Sequence, residues 1–393
     1  MLEALRVVGP FHGPSGYDHH VREFVRELVR QGVVVQLIDM PIWSPSRLPE
    51  PLQDPWFDTL SAPVDAAITL HFTMPEQVIP ADDTLNVNYT MFEASRVPAH
   101  WIEHNLRHDL IVVPTEFSRR TWIESGYPAD RVRVSPLGIN VALFASDPEP
   151  MVLMTEQGRY LSDYRSRFLN VSEVGGRKNL DGLLTAWLRA TRADDDAILM
   201  MKMGPWVPGQ LDVLQEQMRR IQQWERRWFE DAAPVEILFD VLHDVDMPRL
   251  YASATHYISL SHGEGWDQAM VEAAASGLQL IAPDHSAYPT YLTPSTATLI
   301  PSREIPADHA GNAWAASLFA GLHWWEPDLR AAVKVIRDAI DGRAPHWHGA
   351  RAHVLANLTW EQATRQLIDV LSDLELAELF SGSIAQVGRH AGG

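Results

Sequence analysis

Short apolar runs alternate with stretches in which apolar residues recur at helical spacing along most of the chain. Residues 4–8, Ala-Leu-Arg-Val-Val, form the first run. Val21, Phe24, Val25 and Leu28 then return at i, i+3, i+4 and i+7, Gly32 ends the helix they predict, and residues 33–38 make the next run. Strand, helix, strand in this order predicts a parallel sheet, because parallel strands need a crossover connection. Further strands are expected at 66–70, 85–89, 110–113 and 132–134, with an amphipathic helix over 116–125. The second half repeats the scheme, with strands at 168–171, 198–203, 235–239, 256–260, 278–281 and 298–300. A long polar helix is expected from Leu211 to about residue 229. Another starts at Trp360 and runs to residue 380, with Leu367, Val370, Leu371 and Leu374 on one side.

A chain of 393 residues exceeds one ordinary core, so two domains are expected. Patterning is weakest over 145–165, around Asp147-Pro-Glu-Pro150, which places a linker there. The expected division is 1–150 for the first parallel-sheet domain and 151–355 for the second, with a cleft between them. Residues 356–393 supply a C-terminal helix and a flexible tail. Hydrophobic residues make up 46% and charged residues 21%, as in a water-soluble globular protein. No apolar run approaches the roughly 20 residues of a membrane span, which leaves only peripheral contact with a membrane. The absence of cysteine excludes disulfides and thiolate metal sites and fits a reducing compartment, hence a cytoplasmic location. A formal charge of −19 argues against a phosphate-backbone partner.

Candidate chemistry gathers where strands give way to helices, the edge at which open α/β sheets bind ligands. Glu264 lies in the loop after the 256–260 run, and Glu272 lies in the following helix, for which Asp267 is the expected N-cap and Gly277 the stop. Such a pair suits a ligand with hydroxyls and phosphates. The plainer reading is one loop glutamate and one helix-surface glutamate. Gly175-Gly-Arg177-Lys178-Asn179 occupies the matching position after the 168–171 run, and Arg with Lys suits a diphosphate. In the first domain Gly13-Pro-Ser15-Gly16 opens a helix and lets backbone amides approach an anion, although it matches neither the dinucleotide nor the Walker pattern. His71 and Glu93 follow strands of the first domain and face the proposed cleft. Asp244-Val-Asp246 matches an acidic triplet used for metals, but Asp246 reads better as an N-cap. No metal site is expected.

Taken together these stretches resemble the retaining GT-B glycosyltransferases of family 4, whose signature is two glutamates separated by seven residues. Glu264 through Glu272, with the small residues and Gly277 that follow, resembles that signature; Arg177-Lys178-Asn179 resembles the family's basic diphosphate loop. Glu116-Phe-Ser, Val134-Ser-Pro-Leu-Gly-Ile-Asn140, Tyr89-Thr-Met-Phe-Glu-Ala94 with Val97-Pro-Ala-His-Trp101, and Trp360-Glu361 resemble further family segments in the right order. The resemblance implies two Rossmann-like domains facing each other across a cleft, with the last helix crossing back to the first. It implies that Glu264 holds the donor sugar, Glu272 the ribose, and Arg177 and Lys178 the diphosphate. Gly13, Ser15 and Gly16 would approach the phosphates, with the amides of Asp267, Gln268 and Ala269. Glu93 and His71 are candidates for a part in the chemistry. No metal or other cofactor is implied beyond the UDP- or GDP-sugar co-substrate, and the acceptor is a glycan, a lipid-linked group or a small molecule. Asp267-Gln268-Ala269 replaces the family's usual small residue and Leu-Pro pair, and Ser172-Glu173 stands where a second arginine is common. A sugar-binding protein without transfer activity is the competing expectation.

Overall fold

A computed structural model describes residues 2–40, 47–204, 209–308 and 313–390. Its strands in chain order are β1 (Ala4–Gly9), β2 (Val34–Asp39), β3 (Ile68–Phe72), β4 (Leu85–Tyr89), β5 (Leu110–Val113), β6 (Val132–Val134), β7 (Ser166–Ser172), β8 (Ala197–Met203), β9 (Val235–Leu238), β10 (His256–Ile258), β11 (Gln279–Pro283), β12 (Thr298–Ile300), β13 (Ser302–Pro306) and β14 (His323–Pro327). The helices are α1 (Gly16–Arg30), α2 (Ala99–Asn105), α3 (Glu116–Glu124), α4 (Val141–Phe144), α5 (Leu180–Ala190), α6 (Gln210–Glu225), α7 (Met247–Ala252), α8 (Gln268–Ala275), α9 (Ala313–Phe319), α10 (Leu329–Ile340), α11 (Ala350–Asn357) and α12 (Trp360–His390).

The chain splits into two compact units. One comprises Met1–Met91, Ala99–Gly138 and Trp360–Gly393, the other Phe92–Pro98 and Ile139–Thr359. The first unit holds a parallel sheet in the order β2-β1-β3-β4-β5-β6. Every residue of β3 and β5 is buried, which is why these strands read as continuous apolar runs rather than alternating ones. α1 buries Val21, Phe24, Val25 and Leu28 as its spacing predicts. α12 belongs to this unit: Leu367 and Leu371 are fully buried, and the Phe24 and Trp360 rings meet edge to face at 5.2 Å.

The second unit holds a parallel sheet in the order β12-β11-β10-β7-β8-β9. Phe168, Leu183, Leu184, Trp187, Met201 and Ile258 are among the residues of its core. Each sheet reverses its strand order once, between β1 and β3 in the first unit and between β7 and β10 in the second. Loops that leave the C-terminal ends of those paired strands diverge and leave a crevice between them.

All twelve expected strands form, within a few residues at their ends. The antiparallel pair β13–β14 was not expected. Its first strand, Ser-Arg-Glu-Ile-Pro, carries a single large apolar residue, so pairing with the partner strand defines it and sequence period does not. Three expectations need correction. The domain boundary falls at Gly138/Ile139 rather than near 150, because residues 145–165 are folded onto the second unit: Met151 N donates to Arg249 O at 3.2 Å, and Met154 bridges Tyr160. The C-terminal piece of the first unit starts at Trp360, not 356, since Thr359 still pairs with Ile139, and its helix runs to His390 rather than 380. The polar helix stops at Glu225, where Arg226 turns left-handed at φ 53° and donates to Gln222 O. Asp246 is the N-cap of α7 as expected, although it makes no side-chain capping bond and its carboxylate pairs with Arg249 at 3.1 Å.

Candidate functional site

The loops after β7 and β10 flank the reversal of the second sheet, and they bring Glu264, Arg177 and Lys178 together. Arg177 donates to Glu264 Oε2 at 2.8 Å, and Lys178 Nζ donates to Oε1 at 2.7 Å. Arg177 also donates to Gly263 O at 2.9 Å and to Glu173 at 3.1 Å. Glu264 is 4% exposed. Burial alone would raise its pKa, but Arg177 and Lys178 outweigh burial and hold the carboxyl well below the usual range. Arg177 in turn is raised, burial being overcome by Glu264, Glu93 and Glu173.

Local structure explains why these side chains converge. Asn179 ends the basic loop in a left-handed conformation, φ 49°, and caps α5 by accepting from Gly182 N at 3.0 Å. Its amide donates to Leu260 O at 2.9 Å, which fastens the Arg177 loop to the end of β10. His262 bridges the same two loops and the unexpected strand pair. Its backbone N donates to Arg177 O at 2.8 Å, Nδ1 lies 3.1 Å from Gly176 O, and Nε2 lies 2.9 Å from Glu326 of β14. The ring stacks on Trp324 at 4.7 Å.

Glu93 joins this site, not the first unit's strand edge where the sequence placed it. It lies in Phe92–Pro98, the segment grouped with the second unit. Phe92 stacks on Phe319 at 4.9 Å, and Ser95 N donates to His323 O at 2.8 Å. Glu93's carbonyl oxygen passes so close to Gly263 that a Cβ there would sit 1.9 Å from it. Burial raises the Glu93 carboxyl, with Arg177 opposing and Glu264 reinforcing.

Asp267 is the N-cap of α8, as expected, at φ 64°; its Oδ1 accepts from Met270 N at 3.3 Å, and Tyr288 donates to Oδ2 at 2.8 Å. Burial first, then Glu264, raise its pKa. Gln268 and Ala269 form the first turn of α8, and Gln268 Nε2 lies 3.5 Å from Glu272 Oε1. Glu272 is 9% exposed and accepts from the Tyr251 hydroxyl at 2.9 Å. Burial pushes its pKa up to about 8, with Asp244 adding to the rise, so the carboxyl is largely protonated at neutral pH. The two glutamates of the signature therefore carry different charge.

The remaining candidates lie in the first unit. Gly13 and Ser15 lie in the loop after β1, beside that sheet's own reversal, with Ser15 as N-cap of α1 and Gly16 its first residue. Gly13 N donates to Asp18 at 2.6 Å, and the Ser15 hydroxyl donates to the other Asp18 oxygen. A buried carboxylate from the first turn of α1 thus already takes up donors of this loop. Arg22 ties the loop down through Phe11 O at 2.9 Å and Gly13 O at 2.8 Å. His71 lies inside β3 rather than after it, is 2% exposed, and bonds Asn86 at 3.0 Å; burial lowers its pKa despite that bond.

Sequence reasoning missed Ser286, Tyr288, Tyr291, Tyr251 and His262. Ser286, Tyr288 and Tyr291 brace the site from a Ser/Tyr-rich stretch just after β11 that matches no motif, Tyr251 does so from α7, and His262 does so from the Glu264 loop itself.

No helix among the described residues is long and apolar enough to cross a membrane. No protein-family model and no curated protein matches the chain. Solved structures do. Anabaena HepE in complex with UDP and glucose aligns at 13% identity over 94% of this chain and 100% of its own, with a TM-score of 0.63. Sucrose-phosphate synthase from Thermosynechococcus elongatus aligns at 14% identity over 95% and 100%, TM-score 0.63. A glycosyltransferase from Rickettsia africae aligns at 12% identity over 95% and 98%, TM-score 0.58. At such identities the likeness is one of fold. Two Rossmann-like units with parallel six-stranded sheets, matched over nearly the whole length of glycosyltransferase chains, give this protein the GT-B fold.

Proposed function

We propose that this chain is a glycosyltransferase of the family 4 type, which transfers a sugar from a nucleotide-diphosphate sugar with retention and without a metal. The observation that carries the reading is the buried Glu264 between Arg177 and Lys178, at the strand-order reversal of the second sheet. HepE, a match in fold, is described in complexes with UDP, with UDP-glucose, and with UDP and glucose. That favours UDP over GDP as the base to test first.

The chemistry follows from charge. As the glycosidic carbon gains positive character, negative charge builds on the leaving diphosphate, and preorganised cations lower that barrier. Arg177 and Lys178 supply them where water is largely excluded. Glu264 serves twice. Before the donor enters, it holds the two cations apart and oriented; with the donor in place, it accepts sugar hydroxyls. Retention follows if the acceptor attacks on the face from which the diphosphate leaves, with a phosphate oxygen taking the acceptor's proton. Glu272, largely neutral before the nucleotide enters, accepts from ribose hydroxyls and gives up its proton as it does so.

Released nucleotide, measured with a panel of UDP- and GDP-sugars, tests the reading; no turnover and no binding with any donor would sink it. Three carboxylates, Glu93, Glu173 and Glu264, surround Arg177, and they favour a second reading in which the protein binds a nucleotide sugar without transferring it. Calorimetric affinity without turnover would select that alternative.

A further inference from the structure

One segment outside every motif braces the whole signature loop. It runs from the end of β11 through Tyr291, and four of its residues hold three residues of the signature. Glu264 N donates to the Ser286 hydroxyl at 3.1 Å, and Ala287 N donates back to Glu264 O at 3.2 Å. Tyr288 donates to Asp267 Oδ2 at 2.8 Å, and Tyr291 donates to Trp266 O at 2.6 Å. Ser286, Tyr288 and Tyr291 are all buried.

Backbone strain marks the same place. The non-glycine residues with positive φ among the described residues are Asn179, Arg226, Asp267 and Ser286, and all but Arg226 stand on the loops around Glu264. Asparagine and aspartate tolerate this region through local side-chain bonds, but serine has less to offset the clash of its Cβ. Ser286 nevertheless adopts φ 50°. Its hydroxyl also lies 3.0 Å from His285 Nδ1, and the His285 ring stacks on Trp325 at 5.2 Å. Strain of this kind persists only where surrounding contacts over-determine it, and it collects at functional sites.

We propose that Ser286 is a positioning residue that fixes the main chain of Glu264, and through it the spacing of Glu264 from Arg177 and Lys178. The proposal rests on the transferase reading for its kinetic consequence but not for its structural one. A carboxylate held by its own backbone at one end and by two cations at the other has little freedom. Freeing the backbone end lets Glu264 follow the cations when a diphosphate draws them away.

Ser286→Ala removes the hydroxyl and keeps the backbone demand, whereas Ser286→Gly removes the hydroxyl and relieves that demand. Both variants are expected to lower kcat by roughly 10- to 100-fold, the scale of a misplacement near 1 Å, with donor KM within about threefold. Hydrogen exchange at the Glu264 amide, followed by NMR, should quicken by about tenfold or more in both, since that amide loses its partner. Ser286→Gly guards against a folding failure of the alanine variant. Wild-type kcat and wild-type exchange in Ser286→Gly would overturn the proposal. If wild-type protein transfers no sugar from any donor, the functional reading falls, and the exchange measurement alone decides whether Ser286 positions Glu264.

Discussion

Replacing Glu272 with glutamine should make the protein more stable at alkaline pH, with the gap between variant and wild type opening across a defined window. The carboxyl is buried, bonded to Tyr251, and shifted from an ordinary value of 4.5 up to about 8. Because the folded state binds this proton more tightly than the unfolded chain does, the associated stability is fully present below about pH 4.5 and is lost as pH rises through about 8. A tenfold change in proton affinity corresponds to about 1.4 kcal/mol, so the whole window contributes about 5 kcal/mol at most. Water entry on ionisation relieves part of that. Glutamine keeps the shape and still accepts from Tyr251, but it does not ionise. Urea unfolding from pH 5 to 9 should therefore show wild-type stability falling more steeply than that of Glu272→Gln, with the variant the more stable by pH 9. Parallel pH profiles for the two proteins would refute the reasoning. If ribose hydroxyls donate to Glu272, nucleotide binding should also release a proton. Calorimetry in two buffers of different ionisation enthalpy reads that release directly, and Glu272→Gln should abolish it.

Other consequences are separable. Glu264→Gln removes the negative partner of two cations; by the cost of breaking a buried pair it should lose about 3–5 kcal/mol in urea unfolding at pH 7. The same variant should bind free UDP more tightly than wild type, since the diphosphate no longer competes with Glu264, while transfer is lost; weaker UDP binding would count against the shared use of Arg177 and Lys178. Gly263→Ala places a Cβ 1.9 Å from Glu93 O, so the backbone has to move, and an unchanged melting temperature would show that segment 92–98 does not lie over the signature loop. A chelator should leave sugar transfer unaffected if Arg177 and Lys178 neutralise the diphosphate; abolished turnover would instead favour a metal held by the acidic Asp244 and Asp246.

The sheets were readable because their central strands are buried on both faces. Runs such as Leu110–Val113 and Ile68–Phe72 announce themselves without any partner in view. The Glu264 and Arg177 loops were paired through the family resemblance, and the structure supplies the reason they meet: each follows a strand that borders the reversal of the second sheet. What the sequence hid is of another kind. Ser286, Tyr288 and Tyr251 each supply one hydroxyl to a residue at least 21 positions away, and no period or composition records which hydroxyl meets which acceptor. The strands β13 and β14 were hidden for the same reason, because their register exists only once residues 302–306 and 323–327 lie side by side. Glu93 was placed on the wrong unit because a strand's C-terminal edge says where a loop starts and not where it goes.

The non-contiguous build of the first unit bears on how the protein is made. Residues 1–138 contribute its whole sheet, yet α12, which covers Phe24 with Trp360 and buries Leu367 and Leu371, is translated only after the second unit. Until it emerges from the ribosome, the apolar face of α1 lacks that cover. The second unit, encoded mainly between residues 139 and 359, is complete earlier. The half whose synthesis starts first is thus the half whose last packing element is made last, and on a nascent chain the face of α1 that meets α12 stays uncovered until then.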